Sequence, residues 1–140
     1  MKKYAENSVL TNAILFVFGG LCYGAMEIMW RGYTHWSMLL AGGICFITLF
    51  HIYSSRPHMN YLLRFLIGSA VITTVEFTFG CVVNLWWGMN VWDYSRFVPN
   101  LWGQICLLYS VLWGLLCIPV SLLCIKLNEL LKTRLAKATV

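Results

Sequence analysis

The charges of this chain are arranged so that long stretches carry none. No Asp, Glu, Lys or Arg occurs from 7 to 26, from 32 to 55, from 65 to 75, from 77 to 92 or from 97 to 125. A helix that crosses a bilayer needs about 20 mostly apolar residues, and these intervals supply four such helices once Glu76 is allowed inside one. The average agrees with the pattern: at 60% hydrophobic and 11% charged residues, there is too little polar surface to cover a water-soluble domain. The expected fold is therefore all-α, a polytopic four-transmembrane-helix bundle forming a single domain over 1–140. Its helices are expected at about 10–30, 37–53, 62–86 and 101–125, followed by a short basic tail over 126–140. The first apolar run is too long for a cleaved signal peptide and has no small-x-small site after it, so it is expected to stay in the protein.

Basic residues in short loops set the orientation of such a bundle. With the N-terminus inside, Lys2, Lys3, Arg56, Arg64, Lys126, Lys132, Arg134 and Lys137 fall on the cytoplasmic side, against Arg31 and Arg96 outside. Both termini are thus expected in the cytoplasm. In the tail, Leu127, Leu130, Leu131 and Leu135 recur at helical spacing between basic residues, as in a continuation of helix 4 along an anionic leaflet. Pro119 predicts a kink.

Helix 3 holds the most informative pattern. Ser69, Thr73, Glu76, Gly80 and Asn84 fall on one stripe, which is unsuited to lipid. At about 1.5 Å per residue, Glu76 lies roughly 18 Å from Arg64 and roughly 15 Å from Trp86, near the midplane. An ionised carboxylate there is costly unless it is paired or hydrated. No Lys or Arg occupies a predicted helix interior, so the protonated form is the expected one. Two readings stay open for Glu76: a hydrogen bond to a neighbouring helix, or a site for a substrate, ion or proton. Glu27 has two as well, an intrahelical pair with Arg31 four residues on, or an inward turn towards Glu76. Gln104 and Tyr109 are candidates to line a cavity or to bridge helices. Gly20 and Gly24 suit close helix packing.

The tryptophans cluster at the expected outer boundary, as an aromatic belt at the headgroups or as a vestibule for a cation. In the outer loop, Asp93 is expected to pair with Arg96 or to accept backbone N–H bonds in an Asx turn. Trp92 and Tyr94 are expected to anchor at the headgroups, and Asn100 to cap helix 4. His35, His51 and His58 lack a partner at ligand spacing, so no metal site is expected. The six cysteines form no C-x-x-C pair and read as small packing residues. No nucleotide-binding or hydrolytic signature occurs, so neither a cofactor, nor a catalytic residue, nor an enzyme activity is expected.

Three segments, YGAMEIMWRG around Glu27, VEFTFG around Glu76 and VWDYSRFVPNLWGQICLLYSVLWG from Val91 to Gly114, carry a resemblance over most of residues 20 to 115. On these motifs the chain resembles the ABC-transporter type IV, or CmpB-like, permease family of small bacterial membrane proteins. The resemblance implies a multi-pass protein of the bacterial cytoplasmic membrane with a role in transport. Trp92, Asp93, Tyr94, Ser95 and Asn100 belong to its most specific motif.

The expected function is a small inner-membrane transport protein, permease or channel-like. Its substrate or ion site would be built on Glu76 and Glu27 with Thr73, Asn84, Gln104 and Tyr109. The alternative is a non-transporting membrane adaptor or assembly factor whose polar stripe only packs helices. The expected partners are the lipid bilayer and either further copies of the chain or a partner membrane subunit, with no nucleic acid. Four helices alone are too few to surround a pathway.

Overall fold

A computed structural model describes the backbone over residues 2–138, and the side chains over residues 8–134 and at Ala136. The side chains of Lys2, Lys3 and Lys137, counted above for orientation, and of Leu135 in the tail stripe lie outside the described residues. The apolar intervals fold as four helices: α1 (Lys2–Arg31), α2 (Trp36–Ser55), α3 (Tyr61–Gly80) and α4 (Leu107–Ala138). α3 continues without a break into a π-helical turn over Cys81–Trp86. All four are long and apolar enough to cross a membrane. The protein is an all-α, multi-pass membrane protein.

Polar side chains start two of the helices. The His35 ring accepts from the Ser37 N–H ahead of α2, and the Asn60 side chain accepts from the Leu63 N–H ahead of α3 at 2.8 Å; each satisfies an amide that the helix itself leaves open. α1 packs against α2 and α3 against α4 as two hairpins, and α2 also touches α3 and α4. Half of the α2 span is buried against 22% of each of the others, so α2 is the central helix. The large apolar residues left exposed on α1, such as Leu10, Ile14 and Leu21, face the surroundings that lipid fills.

Two apolar cores result. One joins Leu49, Phe50 and Tyr53 of α2 to Cys117 and Cys124 of α4, and Leu127 and Leu131 of the tail stripe pack onto it. The tail therefore continues α4, with part of its stripe taken up by the bundle. At this closely packed level a Cβ on Gly68 would come within 2.2 Å of the Cys117 Cβ, so glycine sets the spacing of α3 and α4. Gly20 and Gly24 face Leu39 of α2 in the same manner. The second core, at the tryptophan-rich end, gathers Met38, Val83, Val91 and Trp92.

α4 begins six residues later than the sequence predicts. The apolar run from 97 hides a small hairpin in which β1 (Asn100–Leu101) pairs antiparallel with β2 (Ile105–Cys106), in the register Asn100↔Cys106 and Leu101↔Ile105. Three residues close it, with Trp102 and Gly103 at positive φ, the conformation that a tight hairpin turn demands. Asn100 accordingly does not cap α4. Its side chain accepts from the Gly103 N–H and donates to the Phe97 carbonyl, fixing the loop itself.

Arg64, at the expected inner end of α3, is buried: its guanidinium donates to the carbonyls of Met59 and Pro57 and to the Ser121 hydroxyl at 2.7–3.0 Å. Tyr53 donates to the Arg64 carbonyl at 2.7 Å. This clasp ties the short 56–60 connection to α4.

Candidate functional site

α1 and α4 both lean on α2 and make few contacts with each other. A cavity of about 710 Å³ opens between them at the tryptophan-rich end, bounded by the loop over 90–97. α4 lines it from Tyr109 to Leu116, so the cavity extends roughly 10 Å along the helix at about 1.5 Å per residue.

The charged group at its rim comes from α1. The Arg31 Nη2 lies 3.0 Å from the Glu27 Oε1, and Thr34 donates to the Glu27 Oε2 at 2.8 Å. Arg31 also donates to the Val91 carbonyl at 2.8 Å, and its guanidinium carbon lies 4.6 Å from the Tyr33 ring centroid. Among the described residues the Nε and Nη2 atoms have no hydrogen-bond partner, and both are closed off from solvent; Nη2 is held by the ion pair. The intrahelical pairing read for Glu27 is thus present, and it lies in the cavity wall.

Glu76 is buried and is not part of that wall. Two residues that are part of it hold the carboxylate: Tyr94 donates to Oε1 at 2.6 Å and the Trp113 indole N–H to Oε2 at 3.1 Å. The sequence offered Glu76 no Lys or Arg partner, and the structure gives it two neutral donors instead. An indole N–H only donates, so Oε2 must accept. Tyr94 does not anchor at the headgroups as expected. It turns inward, where burial first, and then the Glu76 carboxylate beside it, holds its hydroxyl protonated well above the ordinary phenol range.

Tyr109 stacks on Tyr94 with ring centroids 4.7 Å apart and planes 18° apart. Trp113 lies 6.3 Å from Tyr109 and 5.8 Å from Tyr23 of α1. Four aromatic rings from α1, α4 and the loop therefore form one side of the cavity, with Glu76 behind two of them.

The remaining predicted site residues are bonded into the scaffold, although Trp92 and Asp93 also border the cavity. Ser69 donates to the Ser110 carbonyl and Thr73 to the Ser110 hydroxyl, which ties α3 to α4 away from the cavity. Asn84, presented by the π-helical turn, donates to the carbonyl of Trp92 and to Gln104 Oε1, and accepts from the Val91 N–H at 2.7 Å. Gln104 completes this set by donating to the Trp102 carbonyl. The expected headgroup anchor Trp92 is buried, with its indole N–H on the Gln104 carbonyl. Asp93 makes the Asx turn: its Oδ1 accepts from the backbone N–H and the hydroxyl of Ser95. Those bonds hold its carboxyl below the usual range, with a smaller contribution from Arg96. A side chain on Gly103, already at φ +68°, would collide with Asp93 and Ser95.

Tyr23, Met38 and Trp113 were not identified from the sequence. Trp113 carried a readable signal, since it stands apart from the boundary tryptophans, six residues into α4. A buried indole N–H needs an acceptor, and Glu76 is the carboxylate inside the expected span of helix 3.

The family model described as "Putative ABC-transporter type IV" matches residues 10–139. The chain belongs to this family. The ABC-transporter type IV match runs through the three motif segments, the cavity wall and the Glu76 contacts alike. Comparison with curated proteins and with solved structures finds no match.

Proposed function

We propose that this chain is a transport protein of the bacterial cytoplasmic membrane with both termini in the cytoplasm, and that the cavity between α1 and α4 is its substrate site, open to the outside. The observation that carries this reading is the cavity itself. About 710 Å³ lies between two membrane helices, within the range of small-molecule sites, and its mixed aromatic and charged lining is of the kind that orients a ligand. Glu76 acts behind the wall, through Tyr94 and Trp113. The orientation rests on the excess of Lys and Arg at the opposite end. Four helices are too few to surround a pathway, so the transporting species is an assembly with further copies or with a partner membrane subunit.

The adaptor reading has one observation in its favour: Ser69 and Thr73 are spent on Ser110, so the inner part of the polar stripe packs helices. The cavity has no role in that reading.

Growth profiling separates the two. A strain lacking the protein is compared across solutes and toxic compounds with strains carrying wild type, Glu76→Gln or the cavity-filling Leu112→Trp, with membrane levels of each verified. The reading expects at least one solute-dependent phenotype that wild type rescues and both variants do not. Full rescue by both variants would overturn it.

A further inference from the structure

We propose that the cavity selects an organic cation, a quaternary ammonium or protonated amine, which the aromatic wall of Tyr94, Tyr109 and Trp113 binds with Glu76, ionised when the cation is bound and held by a donor on each oxygen, as its buried counter-charge. The proposal rests on the cavity being a ligand site and names the class of ligand.

Three observations converge. Aromatic rings attract cations through the negative potential of their faces, most strongly where water is excluded. Here Tyr94 and Trp113 each donate their polar hydrogen to a Glu76 oxygen, at 2.6 and 3.1 Å. Hydrogen bonds of this kind polarise one another, and donation to a carboxylate draws electron density into the donor rings. The wall therefore carries the influence of the carboxylate while shielding it from direct contact.

The charges at the cavity also favour a cation. Glu27 and Arg31 neutralise each other at 3.0 Å, which leaves Asp93 in the lining and Glu76 behind it. An anionic ligand would have to reach Arg31, yet its Nε and its ion-paired Nη2 are closed off from solvent, and its Nη1 already donates to Val91.

Finally, the rim already holds a cation on an aromatic face. The guanidinium of Arg31 sits 4.6 Å from the Tyr33 centroid, within the distance at which such contacts are attractive. Among the described residues, no Lys or Arg side chain lies over the rings of Tyr94, Tyr109 or Trp113.

Choline and its uncharged carbon isostere 3,3-dimethylbutan-1-ol differ in charge and hardly in shape. Binding of each to the full chain in lipid nanodiscs at pH 8 is measured by equilibrium dialysis, for wild type, Glu76→Gln and Trp113→Phe. Trp113→Phe keeps a ring and removes only the donor. The proposal expects wild type to bind choline at least about tenfold more tightly than the isostere. It expects Glu76→Gln to lose most of that preference, and Trp113→Phe a part of it, each read as the ratio of choline to isostere affinity. Equal binding of both compounds to wild type would overturn the cation proposal and leave the cavity as a ligand site. Binding of neither would overturn the proposal, and the growth profiles decide the transport reading separately.

Discussion

The two ends of the bundle use buried charge in opposite ways. At the Arg64 end one guanidinium satisfies two carbonyls and a hydroxyl within 3.0 Å, and the neighbouring Tyr53, Cys117 and Cys124 are fully buried. At the tryptophan-rich end Glu27, Arg31 and Glu76 are also held by polar neighbours, but around an open volume. Arg64 is held mainly by backbone acceptors of its own connection, with Ser121 of α4 as the one side-chain partner. Glu76 is held by side chains from two other elements, Tyr94 of the outer loop and Trp113 of α4, with space left beside them.

This contrast is broken most readily at the closed end. Arg64→Ala removes the donor from Met59, Pro57 and Ser121 together, and buried hydrogen bonds to a charged group contribute about 1.5–3 kcal/mol each at most. A loss of about 3 kcal/mol is expected, seen as lower thermal stability in detergent, with choline affinity at the other end unchanged wherever the variant is folded. A loss of binding without a loss of stability would mean that the two ends are not distinct.

Gly68→Ala tests the same end by overpacking. The added methyl meets Cys117 at 2.2 Å, and forcing extra volume into a packed core costs about 1–3 kcal/mol. Gly68→Ala combined with Cys117→Gly should recover part of that loss. No recovery would place the strain elsewhere.

At the open end the expected effects on stability are smaller. Tyr94→Phe deletes one hydrogen bond to Glu76 and keeps the ring, so about 1–2 kcal/mol is expected, with a weaker preference for choline over its isostere. A larger stability loss than that of Arg64→Ala would reverse the assignment of which end is structural.

The smallest effect belongs to the exposed Asp93 turn. Its carboxyl is held below the ordinary value by Ser95, so its contribution is fully present above the unfolded value of about 3.9 and is lost as pH falls through the lower folded value. Protease cleavage in the loop over 90–97 should be flat from pH 5 to 8 and rise only in stronger acid. A steep change between pH 5 and 8 would assign the loop to another titrating group.

The sequence carried the helices plainly, because bilayer thickness writes itself into the length of uncharged runs. The face of α3 was legible for the same physical reason: small and polar residues at spacings of three and four cannot all point to lipid. The start of α4 was not, since Leu101, Trp102 and Ile105 are as apolar as a helix would need, and only the backbone of the Trp102–Gly103 turn separates them from it. Asn84 and Gln104 were marked as polar groups worth explaining, but whether they lined a cavity or fixed the loop depended on the π-helical turn, which has no composition of its own. The role of Tyr94 was hidden by its neighbours: a tyrosine in a Trp-rich boundary loop reads as a headgroup anchor until the loop is seen to fold back over α3.

The proposed transport role requires the cavity between α1 and α4 to be open to the outside at the tryptophan-rich end. Its most direct test places single cysteines in a background in which the six native ones are replaced. Leu116 belongs to the cavity wall, whereas the adjacent Leu115 is 52% exposed and is not part of it, so it faces lipid. A charged, membrane-impermeant thiol reagent added outside intact cells should modify Leu116→Cys, and prior filling of the cavity by Leu112→Trp should block the reaction, while Leu115→Cys stays unmodified throughout. An unreactive Leu116→Cys, or equal reaction at both positions, would contradict the account.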